Sequence, residues 1–115
     1  MSRRSVRLLV EDILEAIERI ERYTSELDRE SFVSDEKSSD AVVRNLEIIG
    51  EAAAHLPSDF RESVDDVEWE KVVGLRSRIV HGYFAVDLEL VWTIVRSDLP
   101  PLWRRLKGVL SSPPA

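Results

Sequence analysis

The stretch Leu75-Arg76-Ser77-Arg78-Ile79-Val80-His81-Gly82-Tyr83-Phe84 places a histidine five residues after an arginine and a tyrosine two residues beyond the histidine. On an α-helix, five residues turn through roughly 500°, so Arg76 and His81 would point about 140° apart. One straight helix therefore does not bring both side chains to a single small ligand. Either the backbone bends at Gly82, or a second copy of the segment completes a composite cleft across a two-fold axis.

The length and composition indicate one domain, which we assign to residues 1–110. The 115 residues are enough for a hydrophobic core without disulfides, and 33% of them are charged, with a net charge of −6. The chain has no cysteine, so it forms neither a disulfide framework nor a thiolate metal site, which suits a cytoplasmic protein. We find no apolar run long enough to span a membrane and no signal-peptide pattern, so we expect neither membrane insertion nor export.

The basic residues are concentrated at the two ends of this acidic chain. They are Arg3, Arg4 and Arg7 at the beginning, and Arg104, Arg105 and Lys107 near the end. If the ends meet near Arg76 and Arg78, they form a basic strip on an acidic body. Solvated termini are the alternative interpretation.

Apolar residues spaced by three and four predict the first helix over residues 6–27. The residues on its apolar face are Leu9, Ile13, Ala16, Ile20, Tyr23 and Leu27. Residues 28–39 have no sustained period, so we predict a connection there, with a short turn near residues 31–33.

A second helix begins between residues 35 and 40 and ends near His55, because the proline at position 57 disfavours a helical conformation just before it. Gly50 lies inside this helix, where glycine costs about 1 kcal/mol relative to alanine. We therefore predict that another helix approaches closely at Gly50. His55 is interpreted as a C-terminal helix residue, where an imidazole interacts favourably with the helix dipole.

Residues 58–68 form a polar connection, and Asp65 or Asp66 is predicted to cap a third helix that starts near Trp69. That helix delivers the motif at its C-terminal end, around His81. Carbonyl groups at a helix C-terminus favour the imidazolium, whereas the two neighbouring arginines oppose it. We therefore expect a histidine poised near neutrality, which suits proton transfer.

Asp87 is predicted to cap a fourth helix. Pro100 and Pro101 remove two amide donors and predict a kink or a restart, with Asp98 as the cap. The tail, residues 111–115, is expected to be disordered. The predicted fold is an all-α, antiparallel bundle of four to five helices, with the three tryptophans in the core or at an interface.

The chemistry follows from the residue types that are present. With two histidines, no cysteine and no glycine-rich phosphate loop, the sequence has no strong metal or nucleotide motif, and we expect no cofactor. An arginine and a histidine suit cleavage of RNA without a metal ion. The histidine can move a proton, the arginine can stabilise charge on the phosphate, and RNA supplies its own 2′-hydroxyl nucleophile. Cleavage benefits from both an acid and a base, which favours a homodimer with two motif histidines.

Arg76-x4-His81-x-Tyr83 resembles the Rx4HxY motif of HEPN-domain proteins, in particular the HepT-type (DUF86-like) toxins that are encoded with MNT-type nucleotidyltransferase antitoxins. The flanking segments resemble the same family: residues 40–52, 84–92 and 98–102. Together the similarity covers about residues 8–107, most of the chain. Ser77 departs from the pattern, because the family usually has Asn directly after the arginine.

The resemblance implies a HEPN-like bundle in which paired Arg76 and His81 form an endoribonuclease site at a dimer interface. It also implies that Tyr83 is the residue that the partner nucleotidyltransferase modifies with AMP, which inhibits the toxin. The partners implied are RNA and the antitoxin, without a membrane. Five further side chains are candidates for a supporting role: Ser77, Arg78, Arg44, Asn45 and Glu47. Asn45, Glu47 and Glu51 flank the apolar stripe of the second helix, so we expect them to face a cleft or the solvent.

Two alternative functions stay open. The chain can be a catalytically silent helical partner that holds nucleotide or substrate for a nucleotidyltransferase, which Ser77 in place of Asn favours. It can also be a dimerising helical protein without chemistry. In that case Arg76 pairs with a carboxylate of the second helix, His81 caps a helix, and Tyr83 packs with its hydroxyl at the surface.

Overall fold

The computed structural model describes residues 4–81 and 85–111, except for the side chain of His81. Eight α-helices lie in this part of the chain: Val6–Thr24 (α1), Arg29–Ser34 (α2), Glu36–Ala54 (α3), Ser58–Ser63 (α4), Trp69–Val73 (α5), Leu75–Ile79 (α6), Leu88–Thr93 (α7) and Leu99–Ser111 (α8). Two short strands, Val80–His81 (β1) and Ala85–Val86 (β2), separate α6 from α7. A π-helical turn, Ile94–Asp98, joins α7 to α8.

α1 follows the predicted apolar face but ends at Thr24. The hydroxyl of Ser5 caps it by accepting the backbone N–H of Leu8 at 3.1 Å. Four residues of the predicted face are buried: Leu9, Ile13, Ala16 and Ile20. Tyr23, which the periodicity placed on the same face, is exposed.

The predicted connection over residues 28–39 is wrong in that it contains helix α2 and the first turn of α3. Asp28 and Ser31 form a capping box: the carboxylate of Asp28 accepts the N–H of Ser31, and the hydroxyl of Ser31 accepts the N–H of Asp28, both at 2.9 Å. Such a reciprocal cap starts a helix that is too short to show a period. α2 buries Phe32, which packs on Trp92 with ring centroids 5.3 Å apart.

α3 confirms the second predicted helix and the role of its glycine. The carboxylate of Asp35 caps it by accepting the N–H of Ser38 at 3.1 Å. A Cβ atom at Gly50 would lie 3.2 Å from the carbonyl oxygen of Val73 and 3.3 Å from that of Val72. The missing side chain therefore lets the end of α5 approach the backbone of α3.

The predicted connection over residues 58–68 also contains a helix, α4. Neither Asp65 nor Asp66 caps the helix that follows, since α5 starts without a side-chain cap. Trp69 instead anchors this helix, because its indole N–H donates to the carbonyl of Val64 at 3.0 Å and its ring is buried. A side-chain contact with the preceding turn thus positions the start of α5, where the sequence suggested an aspartate cap.

The predicted third helix breaks at Gly74 into α5 and α6, and α6 ends at Ile79. Val80 is already extended, with φ −91° and ψ 128°. The carbonyl of Ile79 accepts the N–H of Asp87 at 2.7 Å, so it is not available to continue the helix. The motif therefore spans a change from helix to strand.

β1 and β2 pair antiparallel, with His81 opposite Ala85. The prediction that His81 lies at a helix C-terminus is therefore wrong, because α6 ends two residues earlier. The chain leaves the helix before Gly82, where a bend was one of the two predicted solutions. Gly82 itself lies outside the described residues.

α7, the π-helical turn and α8 form one continuous helical segment. Asp87 caps it as predicted, because its carboxylate accepts the N–H of Leu90 at 3.0 Å. Asp98 is not a cap: the N–H of the residue after it donates to the carbonyl of Ile94, which widens the turn. A widened turn makes room for Pro100, whose ring would clash with the carbonyl four residues earlier in a regular helix.

The hydroxyl of Ser111 donates to the carbonyl of Lys107 at 2.9 Å, so the predicted disordered tail is wrong at its first residue. Residues 112–115 lie outside the described part of the chain.

The helices pack as an all-α bundle in which α1 lies between α3 and α8, and α3 also contacts α5 and α6. α8 runs antiparallel to α1: Trp103 near its start donates to Glu18, whereas Ser111 at its end lines a groove with Arg7. The predicted fold class is confirmed, although the described residues hold more helices than the four to five expected. No helix among the described residues is long and apolar enough to cross a membrane.

Candidate active site

Arg76 lies on α6 at the corner where α5 and α6 meet and pack against α3. Its neighbours Leu75 and Ile79 are 3% and 0% exposed, whereas the side chain of Arg76 is 78% exposed. Its Nε atom lies 3.5 Å from Oε2 of Glu47 on α3. This ion pair is the one expected if the chain is a dimerising helical protein without catalytic activity. An exposed ion pair of this length contributes little energy, so an anion from solvent can compete for the guanidinium.

His81 follows Arg76 on β1, with its backbone in the two-stranded ribbon. Its side chain, and Tyr83 two residues later, lie outside the described residues. The backbone of His81 lies two residues beyond the end of α6, the helix that carries Arg76.

Arg78 lies on the other side of α6, since two residues turn a helix by about 200°. Its Nη2 atom is 3.4 Å from Oδ2 of Asp98 in the π-helical turn. Arg78 and Asp98 line a groove between α6 and α8. Asp66 and Arg105 also line this groove, and Nε of Arg105 lies 2.7 Å from Oδ2 of Asp66. The hydrogen bond between them lowers the pKa of Asp66 and raises that of Arg105. Arg78 thus ties the motif helix to the π-helical turn, away from the contact between Arg76 and α3.

Asn45 is buried, so the prediction that it faces a cleft or the solvent is wrong. Its Oδ1 accepts Nε–H of Arg19 at 2.8 Å, and its Nδ2 donates to the carbonyl of Ala41 at 2.9 Å. The side chain therefore joins α1 to α3. Its partner lies 26 positions away on a charged face, so no local pattern pointed to it.

Ser77 and Arg44 are both exposed. Nη1 of Arg44 lies 3.9 Å from Oε1 of Glu47, so this carboxylate stands between Arg44 and Arg76. A groove runs from Glu47 to Val86 beside the motif. The charged residues that line it are Glu36, Asp40, Glu47 and Arg44. Arg44 and Glu47 thus lie close to the motif, whereas Asn45 does not contact it.

The basic residues at the chain ends are largely matched by acids where the structure describes them. Arg4 pairs with Asp12 at 2.8 Å and Arg7 with Glu11 at 3.3 Å, while Arg105 pairs with an aspartate as described above. The predicted basic strip is therefore neutralised in part within the chain.

The described residues contain no group of three or more His, Cys, Asp or Glu side chains placed to hold a metal ion. His55 is the residue at the C-cap of α3, and its Nδ1 lies 2.8 Å from the carbonyl oxygen of Glu51. Its interpretation as a C-terminal helix residue is confirmed.

A protein-family model described as "Ribonuclease HepT-like" matches residues 13–109. The chain belongs to the HepT-like ribonuclease family. The family resemblance inferred from the motif Arg76-x4-His81-x-Tyr83 and its flanks is thus confirmed.

Curated relatives agree with this membership of the HepT-like chain. It is 42% identical over 100 residues to "Probable ribonuclease HepT" of Thermococcus cleftensis, covering 87% of this chain and 91% of the relative. It is 38% identical over 109 residues to "Putative RNase MJ1380" of Methanocaldococcus jannaschii, covering 95% and 100%. It is 36% identical over 101 residues to "Putative RNase TTE0752" of Caldanaerobacter subterraneus subsp. tengcongensis, covering 88% and 90%. No solved structure matches the chain significantly.

Proposed function

We propose that this HepT-like chain is a metal-independent endoribonuclease toxin, with a site composed of Arg76 and His81 from two copies of the chain. The observation that carries the proposal is the exposed guanidinium of Arg76 on a corner whose neighbouring side chains are buried. An exposed arginine fixed on packed backbone is suited to binding a phosphate. Membership of a ribonuclease family supports RNA as the substrate.

In the proposed reaction the 2′-oxygen of RNA bonds to the adjacent phosphorus, and the bond from phosphorus to the 5′-oxygen breaks. One histidine accepts the proton of the 2′-hydroxyl, and another donates a proton to the leaving 5′-oxygen. Arg76 binds the nonbridging oxygens and stabilises their charge in the transition state. The products are a 2′,3′-cyclic phosphate and a 5′-hydroxyl.

A homodimer would supply a second motif histidine to the site. Each chain has one motif histidine, whereas the reaction benefits from an acid and a base. The exposed side chain of Val80, the residue before this histidine on β1, supports an interface with a second copy at this edge of the bundle. We propose that residues 75–84 lie at the two-fold interface.

The test is incubation of the purified chain with RNA in the presence of a chelator. His81→Ala and Arg76→Ala should each lose roughly 100-fold or more in rate, because a proton donor or a phosphate ligand is gone. His55→Ala and Arg22→Ala, exposed residues on other helices, are matched controls that should keep the activity. Loss of wild-type cleavage on chelation, or full activity in both motif variants, contradicts the proposal.

Regulation by an MNT-type nucleotidyltransferase antitoxin in the cytoplasm is part of the proposal. AMP on Tyr83 would place a phosphodiester anion near Arg76, where it competes with RNA phosphate for the guanidinium. Intact mass after incubation with the partner enzyme and ATP should show an AMP-sized increment in the wild type and in Tyr23→Phe, but not in Tyr83→Phe. An increment that persists in Tyr83→Phe removes this residue from the role.

The second candidate is a silent binding partner of a nucleotidyltransferase. Ser77 in place of the usual Asn, directly after Arg76, favours it. A chain that cleaves no RNA but binds nucleotide or the transferase, with binding lost in Arg76→Ala, would establish this candidate over the ribonuclease.

A further inference from the structure

Glu47 and Gly50 lie one turn apart on α3, on the side that meets the corner between α5 and α6. At Gly50 the carbonyl oxygens of Val72 and Val73 come so close that a Cβ atom would lie 3.3 and 3.2 Å from them. The corner that carries Arg76 is therefore held against α3 by backbone contact. Glu47 is the carboxylate that this close approach brings to Arg76.

The contact between Glu47 and Arg76 uses one particular edge of the guanidinium. Nε of Arg76 lies 3.5 Å from Oε2 of Glu47. A guanidinium presents its donors along a side edge that includes Nε and along an end edge formed by its two Nη atoms. A carboxylate on Nε thus leaves the end edge for a second, bidentate anion.

The two partners also differ in their freedom. The side chain of Glu47 is 34% exposed and stands on a helix of 19 residues, whereas that of Arg76 is 78% exposed. Arg44 lies 3.9 Å from the other oxygen of Glu47, so the carboxylate has a cation on each side. Because the carboxylate of Glu47 is less exposed and has more contacts than the guanidinium, it is placed to orient Arg76.

We propose that Glu47 is a positioning residue, which holds the Nε edge of Arg76 so that the Nη edge faces the scissile phosphate. This inference rests on the proposed ribonuclease function. In the free enzyme the same carboxylate competes weakly with RNA for the guanidinium. Glu47 thus opposes RNA binding slightly and favours the productive orientation of Arg76.

The two effects predict opposite changes in the kinetic constants. Glu47→Ala should lower kcat by roughly ten- to a hundredfold, because a misplaced phosphate ligand costs rates of that order. It should also lower KM for RNA, by up to roughly fivefold, because an exposed competing charge is gone. Glu47→Gln keeps an oxygen atom beside Nε without the charge, so it should recover part of kcat. A loss of folded protein would lower kcat without lowering KM.

Glu51→Gln is the matched control, one turn further along α3, and should keep both constants and the melting temperature. The pH dependence of kcat gives a further readout. A positioning role leaves the limbs of the profile where they are in the wild type. Loss of the acidic limb in Glu47→Gln would make this residue a proton acceptor and overturn the inference.

A double-mutant cycle separates the inference from the function on which it rests. Lysine has no second edge to orient, so Glu47→Ala should change kcat less than twofold in an Arg76→Lys background. An undiminished effect of Glu47→Ala in that background, or wild-type kcat in Glu47→Ala alone, overturns the inference. If Arg76→Ala itself keeps full activity, the proposed function has failed, and this result is distinguishable from either of the others.

Discussion

Replacing Gly50 with alanine tests how closely α3 and the corner between α5 and α6 are packed. The added Cβ atom would lie 3.2 Å from the carbonyl oxygen of Val73, 3.3 Å from that of Val72 and 3.9 Å from Cβ of Leu75. The two nearest neighbours are backbone atoms, so the corner must shift and no side chain can rotate away. Overpacking of this kind costs about 1–3 kcal/mol. The better helix propensity of alanine offsets about 1 kcal/mol, so we expect a net loss of about 0–2 kcal/mol in the free energy of unfolding.

Gly108→Ala is the matched control for this experiment. A Cβ atom at Gly108 meets nothing within 4 Å, so this substitution should show the propensity gain alone, up to about 1 kcal/mol. The difference between the two variants therefore measures the close approach at Gly50, and we expect about 1–3 kcal/mol. Urea and thermal unfolding followed by circular dichroism measure it, with each kcal/mol worth roughly 4 °C in Tm for a chain of this length.

RNA cleavage gives a second readout of the same substitution. The contact at Gly50 lies one helical turn from Glu47, so a shifted corner should also move Arg76 and lower kcat while most of the protein stays folded. Equal stabilisation by the two glycine substitutions, with cleavage unchanged, would refute the reasoning. It would mean that α3 and the corner have room between them.

Three further outcomes are expected. Phe32→Ala should lower the free energy of unfolding by about 3–5 kcal/mol, because the ring is fully buried against a tryptophan, whereas Val33→Ala, at an exposed position, should cost little in the same urea titration. The backbone N–H groups that donate to Asp28 and Asp35 lower the pKa of both carboxyls. Their contribution to the free energy of unfolding is complete above about pH 4 and is lost as the pH falls through the lowered pKa values. Removing both caps should therefore make the free energy of unfolding depend less on pH in this acidic range. We expect a dimer whose interface includes residues 75–84; sedimentation at micromolar concentration tests whether the chain is a dimer, and a monomer would contradict the composite site.

Several features of the fold could be predicted because they depend on neighbours along the chain. The four-and-three spacing placed α1 and α3, since one face of each helix must be buried whatever lies opposite. Asp87 was recognisable as a cap because its partner is three residues away. The capping box of Asp28 and Ser31 is equally local, but α2 is too short for its periodicity to reveal it.

The motif itself was recognisable from the sequence, since Arg76 and His81 form a fixed spacing with matching flanks. The arrangement of the motif was not, because its causes are tertiary. The helix ends at Ile79, whose carbonyl bonds to a residue eight positions later, and no local pattern shows such a pairing. Asn45 was misplaced for the same reason, because its partner is on another helix.

The sequence by itself therefore determined the helical class, the position of the long helices and the family, all of which follow from local spacing and residue type. Only the tertiary structure decided that the motif turns from helix to strand and that Glu47 meets Nε of Arg76. The physical reason is that an ion pair or a backbone contact between helices depends on how closely they approach. At this corner the approach is set by Gly50, where a side chain of any size would push α5 away from α3.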